Sequence, residues 1–454
     1  MLKALNLSNF KAWKKLKMPL GRITGIFGTN SSGKSSVLQF LLLLKQTKNA
    51  TDRGLVLDFG GPGELVNMGG YRDVVNGGDR DLDIEWTLKW RLSDELRIRD
   101  PLGRRTDVLM RGRNLQTSCC IGTKGPNLIT RSVKYEFANT KFFIESRGER
   151  ASEFVLQSSG VHETHFIRNQ GRKWALPGPV KTHLFPDQAQ TYFQNTSFLS
   201  EFEAEYEDLI DSVFYLGPLR EFPQREYRWS GARPVDVGPR GEHSVDAILA
   251  ATSRNDRMNL RPGWKLKTFQ EMIAYWLQEL DLIHSFEIRE IAQGSSLYHA
   301  RVRANRSSPE TMLTDVGFGV SQVLPVLVLL YYVPEGSIVL MEQPEIHLHP
   351  SVQRGLADVM LAVAKRRDIQ IIVESHSEHL LRRFQRRAAE GKADSSDLKL
   401  YFVRNDHGIA TLNDLALNEF GEITNWPPKF FGDEVGEIAA ISKASLDRRI
   451  EASQ

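Results

Sequence analysis

Gly28-Thr29-Asn30-Ser31-Ser32-Gly33-Lys34-Ser35 is the stretch that decides the fold, because it fits G-x-x-x-x-G-K-[ST] in full. Ile23 to Phe27 before it is a compact, mostly apolar run, and Val37 to Leu44 after it is almost wholly apolar. A strand, a Gly/Ser loop and a buried helix form the opening unit of a nucleotide-binding α/β domain. The expected ligands are ATP and Mg2+. The glycines Gly28 and Gly33 let backbone N–H groups along Asn30, Ser31, Ser32 and Ser36 curl round a phosphate at the helix N-terminus. Lys34 would reach the β/γ oxygens and the Ser35 hydroxyl would coordinate magnesium. A Ser/Gly turn before a core helix has the same composition, but both flanks here meet the context that the motif demands.

Moving outward, Ser337-Ile338-Val339-Leu340-Met341-Glu342 is an apolar strand ending in a carboxylate, the form of a Walker B element. Glu342 would hold magnesium through water beside the phosphate loop. Ile371-Ile372-Val373-Glu374-Ser375-His376 is a second buried strand with a polar tip. Asp315 to Gln322 is a glycine-rich loop opening an apolar helix at Val323, and such a loop offers anion-binding N–H groups.

Gln343-Pro344-Glu345-Ile346-His347-Leu348-His349-Pro350 completes an E-[NQ]-P-E-x-H-L-H-P stretch with Glu342. It resembles the ABC/SMC-like ATPases of the overcoming-lysogenization-defect and RecF-like group, and within it the bacterial AAA-type proteins carrying a C-terminal domain of unknown function. In typical ABC ATPases the Gln343 position is a Glu that polarises the attacking water. An amide cannot accept a proton at neutral pH, although it can orient water. Either hydrolysis is slow, leaving a long-lived ATP-bound state, or Glu345 supplies the carboxylate. The resemblance also implies that His376 senses the γ-phosphate, and that Gly317, Gly319 and Ser321 belong to a signature loop completing a partner's site. Gly317 stands where that loop's serine is expected. Asn9-Phe10-Lys11-Ala12-Trp13 resembles a segment near the adenine in SMC-like heads, with Phe10 and Trp13 equally readable as core. Gly69 to Asp73 lies about where a Q-loop belongs but contains no glutamine. His347, His349 and His379 read as structural.

Tyr215-Leu216-Gly217-Pro218-Leu219-Arg220 is similar to another segment of that family. The stretch from Tyr215 to Arg240 holds four prolines and five arginines. It would contact nucleic acid or a partner, place Arg220 on a phosphate, or simply carry solvated and internally paired arginines. The runs Arg97 to Arg113 and Arg382 to Arg387 read as solvated faces, as most such runs are, although the latter lies on a helix whose alternate turns could face phosphates. Ile423-Thr424-Asn425-Trp426-Pro427-Pro428-Lys429-Phe430-Phe431 resembles an N-W-P-x-x-F-F ending, a rigid aromatic hook for docking.

The 454 residues allow one large α/β domain with insertions, or two to three modest ones. A formal charge of +3 makes nucleic-acid contact local at most. The neighbouring Cys119 and Cys120 do not suit a bridge or a zinc site, and fit a reducing cytoplasm. The opening residues lack the layout of a secretion signal. The longest apolar run, Val323 to Val333, has 11 residues, short of the ~20 that span a bilayer.

The expected fold is α/β: an ABC-type head with a mixed sheet, flanking helices and an antiparallel β lobe. Residues 1–171 form the N-terminal lobe, 172–295 a mainly helical insertion, 296–415 the C-terminal lobe and 416–454 a docking tail. ATP should join two copies face to face as a dimer or larger homo-oligomer. The resemblance implies a bacterial defence role, sensing phage or a phage-derived trigger and controlling a separate effector nuclease, since no nuclease motif is visible here. The alternative is a RecF-like repair or recombination ATPase that binds DNA with ATP. A third reading is a nucleotide-locked scaffold.

Overall fold

Continuous apolar runs bounded by turn residues become strands buried on both faces, the mark of a parallel sheet covered on either side. The structure, a computed structural model, describes residues 1–104, 106–146, 153–171, 174–259, 265–426, 444, 445 and 448. Two antiparallel strands, β1 (Leu2–Phe10) and β2 (Trp13–Pro19), open the chain. They are joined by a turn at Lys11 and Ala12, with Lys11 in the left-handed region. Next come β3 (Ile23–Gly28), α1 (Lys34–Asn49) and α2 (Tyr71–Val74). The strands β4 (Ile84–Arg99), β5 (Val108–Lys124), β6 (Asn127–Phe137), β7 (Thr140–Ser146) and β8 (Phe154–Gly160) follow. Then α3 (Gln188–Tyr192) and α4 (Leu199–Asp211) lead to β9 (Val213–Leu216).

The chain continues through β10 (Tyr227–Arg228), α5 (Ser244–Ser253), β11 (Arg257–Met258), β12 (Lys267–Thr268) and α6 (Phe269–Glu279). After β13 (Ser285–Glu290), β14 (Leu297–Arg303) and β15 (Thr311–Met312) comes the long apolar helix α7 (Phe318–Tyr332). The closing half is β16 (Ile338–Glu342), α8 (Pro350–Arg366), β17 (Gln370–Glu374), α9 (Glu378–Ala389), β18 (Leu398–Asp406) and β19 (Ile409–Asp414).

These elements make two large sheets. The six-stranded sheet has the order β19-β18-β3-β17-β16-β9, parallel except for β19. The seven-stranded antiparallel sheet has the order β2-β1-β4-β5-β6-β7-β8. Alternation divides the core: Ile338 and Leu340 join α1, α4 and the antiparallel sheet in one cluster, whereas Val339 and Met341 join α5 to α9 in the other. The molecule is thus α/β, a mixed sheet with helices on its faces and an antiparallel lobe.

Residues 172–295, expected to be mainly helical, contain α3 to α6 but also β9, an edge strand of the central sheet. The short run Val213–Leu216 pairs with β16, so this stretch helps to build the head. Of the C-terminal hook, Ile423 to Trp426 is described and Pro427 to Phe431 lies outside the described residues. Among the described residues no helix is long and apolar enough to cross a membrane.

Candidate nucleotide site

Strand order brings the motifs together. The phosphate loop leaves the carboxyl end of β3; β17 is its neighbour, β16 the next strand and β9 the one beyond. Ligands of open α/β sheets bind at this end. In register, Glu342 at the tip of β16 faces Glu374 at the tip of β17. Two acidic tips, Glu342 and Glu374, therefore stand side by side, and Glu345, in the turn after β16, lies within electrostatic reach of both Lys34 and Arg220.

The loop has the geometry of a phosphate cradle. Gly28 has φ 148°, and a Cβ there would meet the Val403 carbonyl oxygen at 2.3 Å. Gly33 has φ 99° and caps α1. Lys34, buried, donates from Nζ to the carbonyls of Gly28 at 3.2 Å and Thr29 at 2.7 Å. Burial depresses its ammonium pKa, with Glu374 and Glu345 acting the other way. Asn30 and Ser31 are exposed at the loop tip, and Asn405 donates to the Ser31 carbonyl at 3.2 Å. Ser32 is buried with its hydroxyl unpartnered, and Ser36 is buried at the first turn of α1.

Phe10 and Trp13 are both fully buried, so they are core rather than a base-stacking surface. Trp13 still serves the loop, because its indole N–H donates to the Gly33 carbonyl at 3.1 Å. Tyr71 in the Q-loop region begins α2 and is likewise buried.

Ser35 donates its hydroxyl to Glu374 Oε1 at 3.0 Å, and Lys34 Nζ lies 4.0 Å from the same oxygen. Glu374 carried no role in the sequence reading. The signal was a lone acid closing an otherwise apolar strand directly before Ser375-His376, but its meaning depends on β17 lying beside β3. Its second oxygen is buried without a hydrogen-bond partner. Glu342 accepts from the Tyr215 hydroxyl at 3.0 Å, not from Ser35. Burial, then the Glu374 charge, push its carboxyl up to about 7.

Gln343 has φ 44°, in the left-handed region, and its N–H donates to the Glu374 carbonyl at 2.8 Å. The turn it begins buries Glu345, whose Oε1 accepts from the His376 backbone N–H at 2.8 Å while Oε2 has no partner. The His376 imidazole is depressed by burial and then by Lys34, against a hydrogen bond with the Gly28 backbone. His376 thus sits at the loop in its neutral form. His349 caps α8, accepting from the Ser351 N–H. Among the described residues no group of His, Cys, Asp and Glu forms a metal cage by itself. Magnesium suits such a site, since it is usually held by one or two carboxylates plus phosphate oxygens. The Ser35 hydroxyl and the free Glu374 oxygen are hard donors of that kind.

The signature candidates lie elsewhere. Gly317 is the N-cap of α7, Gly319 packs near Leu282 and Leu348, and the Ser321 hydroxyl is spent on the Phe318 carbonyl at 2.8 Å. Among the described residues no hydrogen bond joins them to the phosphate loop of their own chain. The helical basic run is paired within the chain: Arg383 and Arg387 pair with Asp358, Arg386 with Glu390 and Arg382 with Glu378. Arg225 pairs with Asp315 and Arg240 with Glu221.

Comparison with known proteins agrees with this layout. Residues 1–107 match the family described as "AAA ATPase domain", and 183–382 match "AAA domain, putative AbiEii toxin, Type IV TA system". Residues 394–441 match "Protein of unknown function (DUF3696)". No curated protein matches the chain. Among solved structures, the SMC head domain from Thermotoga maritima overlaps with TM-score 0.42 at 12% identity, covering 91% of this chain and 99% of that one. An Smc head with an extended coiled coil, bound to the C-terminal domain of ScpA from Pyrococcus furiosus, gives 0.41 at 10%, covering 92% and 96%. Residues 1–107 and 183–382 thus each match an AAA-type ATPase model, and the strands they contribute, β3 from the first and β9, β16 and β17 from the second, lie in one sheet.

Proposed function

We propose that this chain is an ATP-driven switch that binds Mg-ATP at residues 28–36, hydrolyses it slowly, and pairs with a second copy while ATP is bound. The observation carrying this reading is the cluster of Lys34, Ser35 and Glu374, which gathers a cation, a hydroxyl and a free carboxylate oxygen at a loop shaped for phosphate. Lys34 would bind the β/γ oxygens, and Ser35, Glu374 and Glu342 are the residues that would hold magnesium. Magnesium, when bound, neutralises charge on the phosphate oxygens. His376 reads the terminal phosphate, and Glu345 holds His376 in place through its backbone.

Slow turnover follows from Gln343, which orients water without taking its proton. Pairing of copies is supported by Gly317, which is exposed at the N-cap of α7. Beside it Phe318 is exposed and meets the exposed Phe222 edge to face at 6.2 Å, an apolar patch that a second copy would cover. ATP then acts as a population switch between single and paired heads.

The biological setting rests on the family resemblance: bacterial defence in the cytoplasm, with a phage-derived trigger and a separate effector nuclease. The free thiols of Cys119 and Cys120 support that compartment. For the RecF-like alternative, Arg225, Arg240, Arg383 and Arg387 are already paired with carboxylates of the chain, and no specific observation favours it.

Titration with labelled ATP and magnesium, with and without Lys34→Ala, tests the core of the reading. Wild type should bind saturably and the variant at least about 100-fold more weakly. Equal binding by both would end it. Gln343→Glu should raise turnover on the order of a hundredfold. Unchanged turnover would move the base to Glu345.

A further inference from the structure

The segment after β9 is turned inside out. Leu219 and Phe222 stand 73% and 69% exposed, while Arg220 between them is 6% exposed. Two backbone hydrogen bonds fix this arrangement, Gly217 N–H to the Pro239 carbonyl at 2.7 Å and Glu221 N–H to the Arg240 carbonyl at 2.8 Å. Burying a guanidinium while exposing two large apolar side chains reverses the usual preference, so something other than apo stability must favour it.

Inside, Arg220 finds no direct partner. All three of its side-chain nitrogens, Nε, Nη1 and Nη2, are buried without a hydrogen bond, and no carboxylate closes to 4.0 Å among the described residues. Arg220 follows β9, the strand beside β16, and Glu342, Glu345 and Tyr215 lie within its electrostatic reach. Desolvation lowers its pKa to about 10, so it remains a cation at neutral pH. A buried cation with five bare N–H donors is complete only when an anion with several acceptor oxygens arrives.

We infer that Arg220 is reserved for the terminal phosphate of the nucleotide in its own chain's site, and so discriminates ATP from ADP. This deepens the ATP-switch reading and rests on it. The planar fork of a guanidinium suits two phosphate oxygens at once. Its buried position within electrostatic reach of Glu342 favours the chain's own nucleotide over one held by a second copy. Arg220 also counters the acidic tips, so closing on phosphate exchanges diffuse attraction for direct hydrogen bonds.

The test titrates full-length wild type, Arg220→Gln and Arg220→Lys with labelled ATP and labelled ADP in magnesium, and records each melting temperature without nucleotide. Arg220→Gln should lose at least tenfold in ATP affinity and less than twofold for ADP. Arg220→Lys, which keeps charge but not the fork, should fall between. In Arg220→Gln the ligand-free melting temperature should hold or rise, since the desolvation of an unpaired buried charge outweighs its diffuse attraction to the acidic tips. Equal losses for both nucleotides, no loss for either, or a lower melting temperature in both variants would overturn the assignment. An equimolar mixture of Arg220→Gln with Lys34→Ala chains covers the remaining source. Restored ATP preference would mean that the arginine acts across copies, against the inference. Failure of wild type to bind either nucleotide would strike the switch reading itself.

Discussion

The two sides of the strand-end row are finished differently. Beside β3 and β17, Lys34 is held by two loop carbonyls and Ser35 by Glu374, so the cradle is largely closed by the protein's own atoms. Beside β16 and β9, Glu342 has one hydroxyl partner and Arg220 has no hydrogen bond at all. One side is preorganised; the other stores unpaired charge. The contrast teaches where ligand energy should go: the closed side supplies affinity for any phosphate tail, and the open side responds to what the tail carries at its end.

Removing charge from the open side should have the largest effect on the ligand-free fold. Glu342 is raised from an ordinary carboxylate to about 7 by burial, so it is favourable protonated and costly ionised. Its folded pKa exceeds the unfolded one, so its contribution is present below about pH 4.5 and is lost as pH rises through about 7. Relative to Glu342→Gln, wild type should therefore lose up to about 3 kcal/mol between pH 5 and pH 8. Denaturation of both proteins across that range is the measurement. A constant difference would mean that Glu342 is ionised throughout and the open side is not charge-strained.

Glu374→Gln tests the closed side, with a smaller effect. The amide oxygen can still accept from Ser35, but the charge beside Lys34 and the magnesium donor is lost. Affinity for Mg-ATP should fall roughly tenfold, about 1.4 kcal/mol, while affinity for ATP in excess chelator should hold. A similar loss in chelator would make Glu374 a scaffold for the loop and not a metal-side carboxylate.

Legibility in the sequence divides along the same line. Phosphate loop, β3, α1, β16 and β17 were readable because each is a local pattern: spaced glycines, or an apolar run with a sharp end. The alternation of Ile84, Trp86, Leu88 and Trp90 along β4 is a local pattern of the same kind. Glu374 and Arg220 were not readable to the same degree, because their roles come from strand order. Nothing within Val373-Glu374-Ser375 says that β17 lies between β3 and β16. β9 was obscured because four residues beside the proline-rich segment carry too little periodicity. Trp13 shows a third case: Phe10 and Trp13 look equally suited to stacking or core, and only burial decides.

That last residue sets the finest test of the contrast. If the closed side is held by its own atoms, weakening one such contact should loosen phosphate binding without touching the open side. Trp13→Phe removes the indole N–H from the Gly33 carbonyl, a loss of about 1 kcal/mol, and trims ring volume. Trp86→Phe trims a buried ring packed on Phe40, and so controls for volume. Both variants should melt a few degrees lower, but only Trp13→Phe should bind ATP and ADP about fivefold more weakly, and by the same factor. Equal nucleotide affinity in the two variants would show that the cradle keeps its shape without the indole. A selective loss of ATP would be more damaging, because it would mean that the closed side also reads the terminal phosphate and that the division between the two sides fails.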